Sequence, residues 1–256
     1  MKGFNLCYFL FTISWGFFLQ PSSAFEWSFL KACTAEDELC QRENVVSFFK
    51  TYSNGVPELD IPQLEPLSLG KFNIKHQGNP NFNLNMFIKD VQLVNHTKIE
   101  CLAVKGFKKD VTKPTHITML IRHPYLTLQA HCHLKGKLLI FNAEGDADLE
   151  IRMINTTSAI DVDLEPYTKD NRSYFNATSY YAKQQTSSAK IVFKNSSLFN
   201  GDQQFAEIFT DAINENWSLM RDEIQPHFEK VNAKVALITL NKILRTIPSD
   251  QFFKDQ

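Results

Sequence analysis

The sequence predicts an α+β fold in which an antiparallel sheet packs around a long C-terminal α-helix. Apolar residues recur three or four positions apart between Phe205 and Ile247, which is the spacing of one helical stripe. Residues 82–164 instead alternate between apolar and polar, as strands with one buried face do. The helical stripe is several times longer than the roughly three or four turns of an ordinary helix. A sheet curved around the helix would cover it; a helix lying on a flat sheet is the alternative.

The predicted helix contains a proline, Pro226. Proline has no amide proton, and its ring collides with the preceding helical turn. We therefore expect the helix to be kinked or divided at this position.

Residues 1–24 have the features of a secretory signal peptide. Lys2 supplies positive charge, the run from Phe4 to Leu19 is largely apolar, and small residues precede position 25. The apolar run falls short of the roughly 18 residues expected of a membrane span. We expect a secreted, extracellular protein whose residues 25–256 form a single domain without stable membrane insertion. Retention of the leader as an anchor is the alternative.

Charge and motifs exclude several function classes. The chain has 27 basic and 28 acidic residues, so it lacks the concentrated positive charge of a nucleic-acid surface. We find no nucleophile elbow, zinc-protease motif, phosphate loop or dinucleotide fingerprint. The sequence therefore predicts neither an enzyme nor a cofactor, although distant residues can still assemble a catalytic pair.

Four cysteines remain once Cys7 leaves with the leader, an even number that suits an oxidising compartment. We expect Cys33 to pair with Cys40 at the start of a short helix. Closing such a small ring lowers the conformational entropy of the unfolded chain, which stabilises the folded protein by about 2 to 3 kcal/mol. Cys101 and Cys132 both lie on the apolar face of their strands. They could pair if the strands meet, or remain as two buried thiols.

The segment His131-Cys132-His133 is the candidate for a metal site. In a strand, neighbouring side chains point to opposite faces, so the two histidines and the cysteine cannot converge on one ion. We therefore predict no metal site here.

Six Asn-X-Ser/Thr sequons also suit a secreted protein. Asn216 is doubtful because it lies in the predicted long helix. The predicted glycosylation sites are Asn95, Asn155, Asn171, Asn176 and Asn195.

Several short motifs are informative in combination. They are the Cys33 and Cys40 pair opening a helix, Gly55-Val56-Pro57, Pro66-Leu67, Pro124-Tyr125-Leu126 and the ending Asn241–Pro248. Together they resemble the insect takeout and juvenile-hormone-binding protein family over nearly the whole mature chain. The resemblance implies a strongly curved antiparallel sheet wrapped around the long helix, related to one half of the bactericidal/permeability-increasing proteins. It also implies an enclosed hydrophobic tunnel and no catalysis.

The function implied by this resemblance is carriage of a small hydrophobic ligand, either a juvenile-hormone-like terpenoid or a fatty-acid-like lipid. A chain of about fifteen carbons gains roughly 12 kcal/mol at about 0.8 kcal/mol per buried methylene. Association costs about 4 to 15 kcal/mol, so binding needs no ion pair. The alternatives are a secreted signalling protein with a filled core that binds a cell-surface receptor, and a lipid-active hydrolase. We expect a monomer.

The candidate tunnel residues are the inward-facing apolar side chains, any of which could equally be plain core. Methionines suit a wall that adapts to a ligand, and Tyr125 is the candidate for orienting a carbonyl or epoxide. The apolar candidates are Val46, Phe49, Phe82, Leu84, Met86, Met119, Leu128, Leu149, Ile151, Met153, Met220, Ile224, Phe228, Val231, Val235 and Ile238.

Overall fold

The alternating segment of the chain forms one antiparallel sheet, and the apolar stripe forms helices beside it. The computed structural model describes residues 25–75, 82–138 and 140–254, so the predicted signal peptide lies outside the described residues. At positions 82, 219 and 220 only the backbone is described. The strands are β1 (Leu67–Ile74), β2 (Phe82–Val94), β3 (Glu100–Lys105), β4 (Thr115–Leu138), β5 (Phe141–Lys169) and β6 (Arg172–Lys194). The helices are α1 (Glu38–Thr51), α2 (Gln203–Glu215) and α3 (Trp217–Leu244), with short 3-10 helices at Pro57–Leu59, Leu198–Gly201 and Ser249–Phe252.

The strand order is β1-β2-β4-β5-β6, and β3 pairs with β4. The alternating runs near residues 117–121 and 126–134 are parts of one strand, β4, which has 24 residues. Its pairing with β5 continues from His123–Thr156 to Tyr125–Ile154 across Pro124. The facing residue Asn155 has a φ of 50°, a left-handed conformation that asparagine tolerates. The pairing of β4 with β5 is interrupted only at Pro124 and Asn155, so β4 continues past the proline.

Interruptions of the strand pairing bend the sheet. The register of β2 against β4 shifts between Lys89 and Gln92, where Asp90 has a φ of 54°. A second shift lies around Gly70, between β1 and β2. Extra residues of this kind kink a strand and increase its twist. The predicted α+β fold, a long C-terminal helical element against a curved antiparallel sheet, is confirmed.

The C-terminal stripe is divided at Asn216 and not at Pro226, so a division of the helix at the proline, one of the two expected outcomes, is wrong. The Asn216 backbone leaves helical geometry, and its amide N–H donates to the carbonyl oxygens of Ala212 and Ile213 at 3.2 and 3.1 Å. Its side-chain Nδ2 also donates to Ala212 at 2.8 Å. Helix α3 then continues through Pro226. Proline removes one intrahelical hydrogen bond, and Pro226 and Asp222 both border an open polar groove where water can replace it.

Two asparagines hold the outer edge of β6 against the helices. The Asn214 side chain of α2 accepts from the Ile191 amide at 2.7 Å and donates to the Ile191 carbonyl at 2.9 Å. The Asn241 side chain of α3 repeats this with Ala177, also at 2.7 and 2.9 Å. We call these paired contacts edge clamps. Each satisfies both backbone groups of one edge-strand residue.

A third edge clamp lies between the two asparagines. The Gln184 amide donates to Glu229 Oε1 at 2.9 Å, and Gln225 Nε2 donates to the Gln184 carbonyl at 2.7 Å. An uncovered strand edge is a template for pairing with another chain. The edge clamps therefore cover part of the edge of the polar strand β6 and fix the helices on the sheet.

The described helices do not include one that is both long and apolar enough to cross a membrane. On the outer face of the sheet, His131 and His133 contact Asp148 and Asp146 at 2.5 and 3.1 Å. Cys132 lies on the opposite, buried face, as the strand alternation predicts.

The cysteines adopt one of the two predicted arrangements. Cys33 and Cys40 form a disulfide, and Asp37 caps α1 by accepting from the Cys40 amide at 3.0 Å. Cys101 and Cys132 are buried free thiols, so the possible bridge between them is not formed. Cys101 pairs with Ile121, 11 residues along β4 from Cys132, which corresponds to about 36 Å of strand. Burial raises the pKa of these thiols to about 11 and about 12, respectively.

Candidate binding cavity

A cavity of about 270 Å³ lies between the sheet, α1 and the second half of α3. At the opposite end, beside α2, the inner side chains are packed against one another around Phe209 and Ile213, which are 0% and 1% exposed. Among the described residues, this cavity therefore lies at the α1 end, and the cluster around Phe209 at the α2 end is packed. The volume is close to the lower limit of ordinary small-molecule sites, about 300 Å³.

The sheet wall of the cavity is apolar. The register of β4 against β5 places Ile117 beside Val162 and Met119 beside Ile160. These four side chains alternate along their strands with outward-facing neighbours, so one face of each strand lines the cavity.

The helical wall is formed by one face of α3 and by α1. Asn232, Val235, Ala236 and Thr239 recur at the spacing of one helical face. From α1, the aromatic rings of residues 48 and 49 reach the same space.

The two ends of the described chain close one side of the cavity. The Cys33 amide donates to the Phe252 carbonyl at 3.0 Å, and the Lys254 amide donates to the Cys33 carbonyl at 3.1 Å. Phe29, Cys33, Phe252 and Phe253 all border the cavity. The disulfide to Cys40 therefore joins this wall to α1.

Two polar residues on the wall are bonded to the nearby backbone. Gln41 Nε2 donates to the carbonyls of Thr34 and Ala35 at 3.2 and 2.9 Å. The Asn44 side chain accepts from the Lys31 amide at 3.0 Å and donates to the Lys31 carbonyl at 2.7 Å. These amides fix the segment before α1 and do not depend on a ligand.

His96 is the titratable imidazole beside the cavity. Burial, and secondarily the nearby His123, lower the pKa of His96 from 6.5 to about 3, while a hydrogen bond with the Leu64 backbone opposes this shift. Its Nδ1 atom is buried without a hydrogen-bond partner among the described residues. The ring is therefore neutral at physiological pH.

Acid should destabilise the protein through His96 and His123. Burial lowers the pKa of both in the folded state, so below pH 6.5 the unfolded chain binds protons that the folded protein excludes. The free energy of unfolding should therefore fall as the pH drops below 6.5, for His96 by up to about 1.4 kcal/mol per unit down to about pH 3, and His123 should add to the fall in the same direction. Above pH 6.5 these two histidines should not make the free energy of unfolding depend on pH. Urea unfolding at several pH values measures this dependence.

The matched pair for this prediction is His96→Phe and His116→Gln. His96→Phe removes a proton-binding site of the unfolded chain, so the free energy of unfolding should depend less steeply on pH below 6.5. His116 is exposed, and its contacts with Asp163 and Asp161 raise its pKa, so its removal should not make this dependence less steep. Equal slopes for wild type and His96→Phe would contradict the prediction.

Three further polar residues border the cavity. Asn232, Thr239 and Tyr180 have no side-chain hydrogen bond to another residue in the described ranges, although Asn232 and Thr239 are only 9% and 8% exposed. Burial raises the pKa of the Tyr180 phenol to about 12, so it remains neutral. Within the described part of the chain, the lining contains no lysine, arginine, aspartate or glutamate.

The predicted tunnel residues are distributed between the cavity and the packed end. Phe49, Met119 and Val235 border the cavity, and Val46 packs in the adjoining cluster. Leu84, Met86, Leu128, Leu149, Ile151, Met153, Ile224, Phe228 and Val231 belong to or pack against the core around Phe209. The side chains of Phe82 and Met220 lie outside the described residues.

Two predicted residues lie on the surface. Tyr125 is 65% exposed and Ile238 is 49% exposed, and neither borders this cavity. Ile238 precedes Thr239 and follows Leu237, so it lies beside the cavity-facing stripe of α3 and not on it. Among the glycosylation candidates, Asn155, Asn171 and Asn195 are exposed, and Asn95 and Asn176 are half-buried.

Four cavity residues were not predicted from the sequence: His96, Tyr180, Asn232 and Thr239. A signal was present for two of them: Asn232 and Thr239 are polar, seven residues apart, and on the same helical face as Val235. His96 and Tyr180 lie outside any clear apolar stripe, so only the folded structure brings them to the cavity.

A curved sheet packed on helices around an apolar cavity is the architecture of a protein that binds small hydrophobic molecules. Residues 8–254 match the family described as haemolymph juvenile hormone binding protein (JHBP), and the chain belongs to that family. The resemblance found in the sequence is confirmed.

Individual relatives agree with this assignment. The chain is 30% identical over 230 residues to the circadian clock-controlled protein daywake of Drosophila melanogaster, covering 89% of this chain and 88% of that protein. It is 31% identical over 228 residues to daywake of Drosophila yakuba, with coverages of 88% and 87%. The crystal structure of Epiphyas postvittana Takeout 1 superposes with a TM-score of 0.78 at 18% identity, covering 88% of this chain and 100% of that one. At that identity the likeness shows the fold alone.

Proposed function

We propose that this protein is a secreted carrier that binds one small hydrophobic ligand, of the size of a terpenoid or a single acyl chain, in the cavity beside α3. Membership of the binding-protein family supports this proposal. The observation that carries it is a cavity of about 270 Å³ whose lining is predominantly apolar and contains no ionised side chain among the described residues. Residues 1–24 would direct secretion and then be removed.

Affinity would come from burial of apolar surface. Each methylene removed from water contributes about 0.8 kcal/mol, and the lining residues that the structure describes include no charged side chain that could add an ion pair. Binding should therefore depend little on salt. We propose no catalytic step; the influences on the pKa of His96 within the described residues are burial, His123 and a hydrogen bond with the Leu64 backbone, and they do not include a carboxylate.

Val235→Trp should weaken binding of a fluorescent fatty probe at least tenfold, because the indole would occupy space that borders the cavity. The protein should remain folded, with a free energy of unfolding within about 1 kcal/mol of wild type, since the added atoms enter a hollow. Probe titration and urea unfolding of the same preparation measure the two quantities.

Phe228→Trp is the matched control on the same helix. Phe228 is 6% exposed and belongs to the packed core, so the larger ring should cost about 1 to 3 kcal/mol by overpacking. Its folded fraction should bind probe normally. If the wild-type protein bound no probe and both variants lost stability by a similar amount, the carrier proposal would fail in favour of a receptor-binding protein with a filled core. Mass spectrometry of a solvent extract would identify the native ligand.

A further inference from the structure

Positive charge is concentrated at one surface of the molecule. The segment from Lys105 to Lys113, which leads from the end of β3 towards β4, contains four lysines and one aspartate, although the whole chain has 27 basic and 28 acidic residues. The four lysines are exposed. A concentration of one charge in a nearly neutral protein attracts partners of the opposite charge.

The same segment contributes to the wall of the cavity. Phe107 borders the cavity together with Phe252 and Phe253. The ring centroid of Phe107 lies 6.4 Å from that of Phe252 and 6.1 Å from that of Phe253. All three residues are only partly buried, so they separate the cavity from the solvent on this side. We call these three residues the aromatic wall.

A fifth lysine lies beside the aromatic wall. Lys254 directly follows Phe253, is exposed, and its amide donates to the Cys33 carbonyl at 3.1 Å. The ring contact between Phe107 and Phe253 brings Lys254 close to the segment that holds the other four lysines. We call the five exposed lysines the basic rim: Lys105, Lys108, Lys109, Lys113 and Lys254.

The acidic residues nearest to the basic rim are already paired. Asp110 lies within the segment and contacts Lys113 at 2.7 Å. Asp250, in the last 3-10 helix, contacts Arg172 at 3.4 Å. The lysines of the basic rim that form no ion pair with another described residue are Lys105, Lys108 and Lys254. Their charges are therefore in excess at this surface.

The opposite end of the molecule carries the opposite charge. Residues 202–216, which include α2, contain no lysine or arginine. Their exposed acidic residues are Asp202, Glu207, Asp211 and Glu215. Helix α2 packs on the core around Phe209, away from the cavity. An anionic surface would therefore orient the protein with the basic rim towards it.

The position of the basic rim favours a lipid surface as the partner. Clusters of about four to eight lysines and arginines bind bilayers that contain anionic lipids, and each such residue strengthens binding about fivefold. The basic rim falls within this range. A bilayer held by these lysines would lie against the aromatic wall, which is the part of the protein that separates the cavity from the solvent.

We propose that the basic rim docks reversibly on an anionic phospholipid bilayer, and that the hydrophobic ligand is exchanged with the bilayer at the aromatic wall. The attraction is electrostatic, so docking requires no membrane-inserted segment. The inference rests on the proposed carrier function and goes beyond it, since it states where the ligand is loaded and released.

The first test is flotation of the protein with vesicles of phosphatidylcholine, either alone or with about 30% phosphatidylserine, at about 50 mM salt. The protein should float with the anionic vesicles and not with the neutral vesicles. Raising the salt to about 300 mM shortens the range of the attraction, so binding should fall at least about tenfold. Equal binding to both kinds of vesicle would overturn the inference.

The triple variant Lys105→Gln, Lys108→Gln, Lys254→Gln assigns docking to the basic rim. At about fivefold for each lysine, binding to anionic vesicles should fall on the order of a hundredfold. The three side chains are exposed and do not border the cavity. The melting temperature and the affinity for a fatty probe in solution should therefore remain those of the wild type.

The triple variant Lys71→Gln, Lys89→Gln, Lys137→Gln is the matched control, because it changes the net charge by the same amount. These lysines are exposed on the strands that pack on the core around Phe209, so the variant should bind anionic vesicles like the wild type. Equal losses for the two triple variants would show that net charge and not the basic rim governs binding, and the inference would be wrong.

Transfer of a fluorescent fatty probe from the loaded protein to vesicles tests the exchange itself. The rate should rise with the concentration of anionic vesicles, because contact limits it, and should be at least about tenfold lower for the variant of the basic rim. A rate independent of vesicle concentration would mean that the probe leaves through water, which would overturn the inference while the carrier function stands.

Two further outcomes separate the remaining alternatives. Retention on heparin without binding to anionic vesicles would identify an anionic polysaccharide as the partner and would overturn the inference. Vesicle binding by a protein that binds no fatty probe in solution would instead defeat the carrier function and leave only the docking.

Discussion

Phe209→Ala should lower the free energy of unfolding by about 3–5 kcal/mol. Phe209 is 0% exposed and its ring centroid lies 5.3 Å from that of Phe199, 5.6 Å from Phe141 and 5.9 Å from Phe193. Truncation removes the transfer energy of the ring and leaves a void between three other rings that cannot all close around it. Urea unfolding measures the loss.

Phe205→Ala on the same helix is the control for that prediction. Phe205 is 44% exposed, so its removal should cost about 1 kcal/mol or less. Because the cavity proposed to bind the ligand lies at the other end of the molecule, folded Phe209→Ala protein should keep its affinity for a fatty probe. Equal costs for the two variants would show that the α2 end is not densely packed around Phe209.

Asn241→Leu should lower the free energy of unfolding by about 2–4 kcal/mol, since both backbone groups of Ala177 lose their partner and Ala177 is 3% exposed. Leucine has the same branching and number of heavy atoms as asparagine, so the substitution removes the two hydrogen bonds without leaving a void. Faster hydrogen exchange of the Ala177 amide should accompany the lower stability.

Asn214→Leu provides a second measurement of the same kind of contact. It removes the equivalent pair at Ile191, and we expect a cost in the same range. The two edge clamps share no residue and are 14 positions apart on β6, so the double variant should show additive losses. A cost below about 0.5 kcal/mol for either single variant would mean that water replaces the asparagine.

Periodicity predicted the elements but not every boundary. The stripe from Phe205 to Ile247 did correspond to helix, because its apolar spacing is set by which face must be buried. The division at Asn216 was missed because it depends on a side chain bonding its own preceding turn. Pro226 has the stronger general tendency to break helices, but it lies where the helix borders an open groove and is tolerated.

The position of the cavity could not be predicted from the sequence for a different reason. Leu149 and Met119 both alternate with polar neighbours and both face the helices, yet one is packed in the core and the other borders the hollow. The difference is the local separation between helix and sheet, which no single residue encodes. Polar interruptions such as Asn232 and Thr239 in an otherwise apolar stripe are the signal that could have located the site.

The contact between Cys33 and Phe253 bears on the order in which the protein folds and binds a ligand. Cys33 and Phe253 are 220 positions apart in the sequence, and both belong to the cavity wall. Contacts of such long range are among the last to form during folding, so the cavity should be completed late. A partly folded chain should therefore be unable to retain a guest. A ligand that binds only the folded protein would raise the melting temperature roughly with the logarithm of the ligand concentration. Thermal unfolding would therefore report ligand binding and completed folding together.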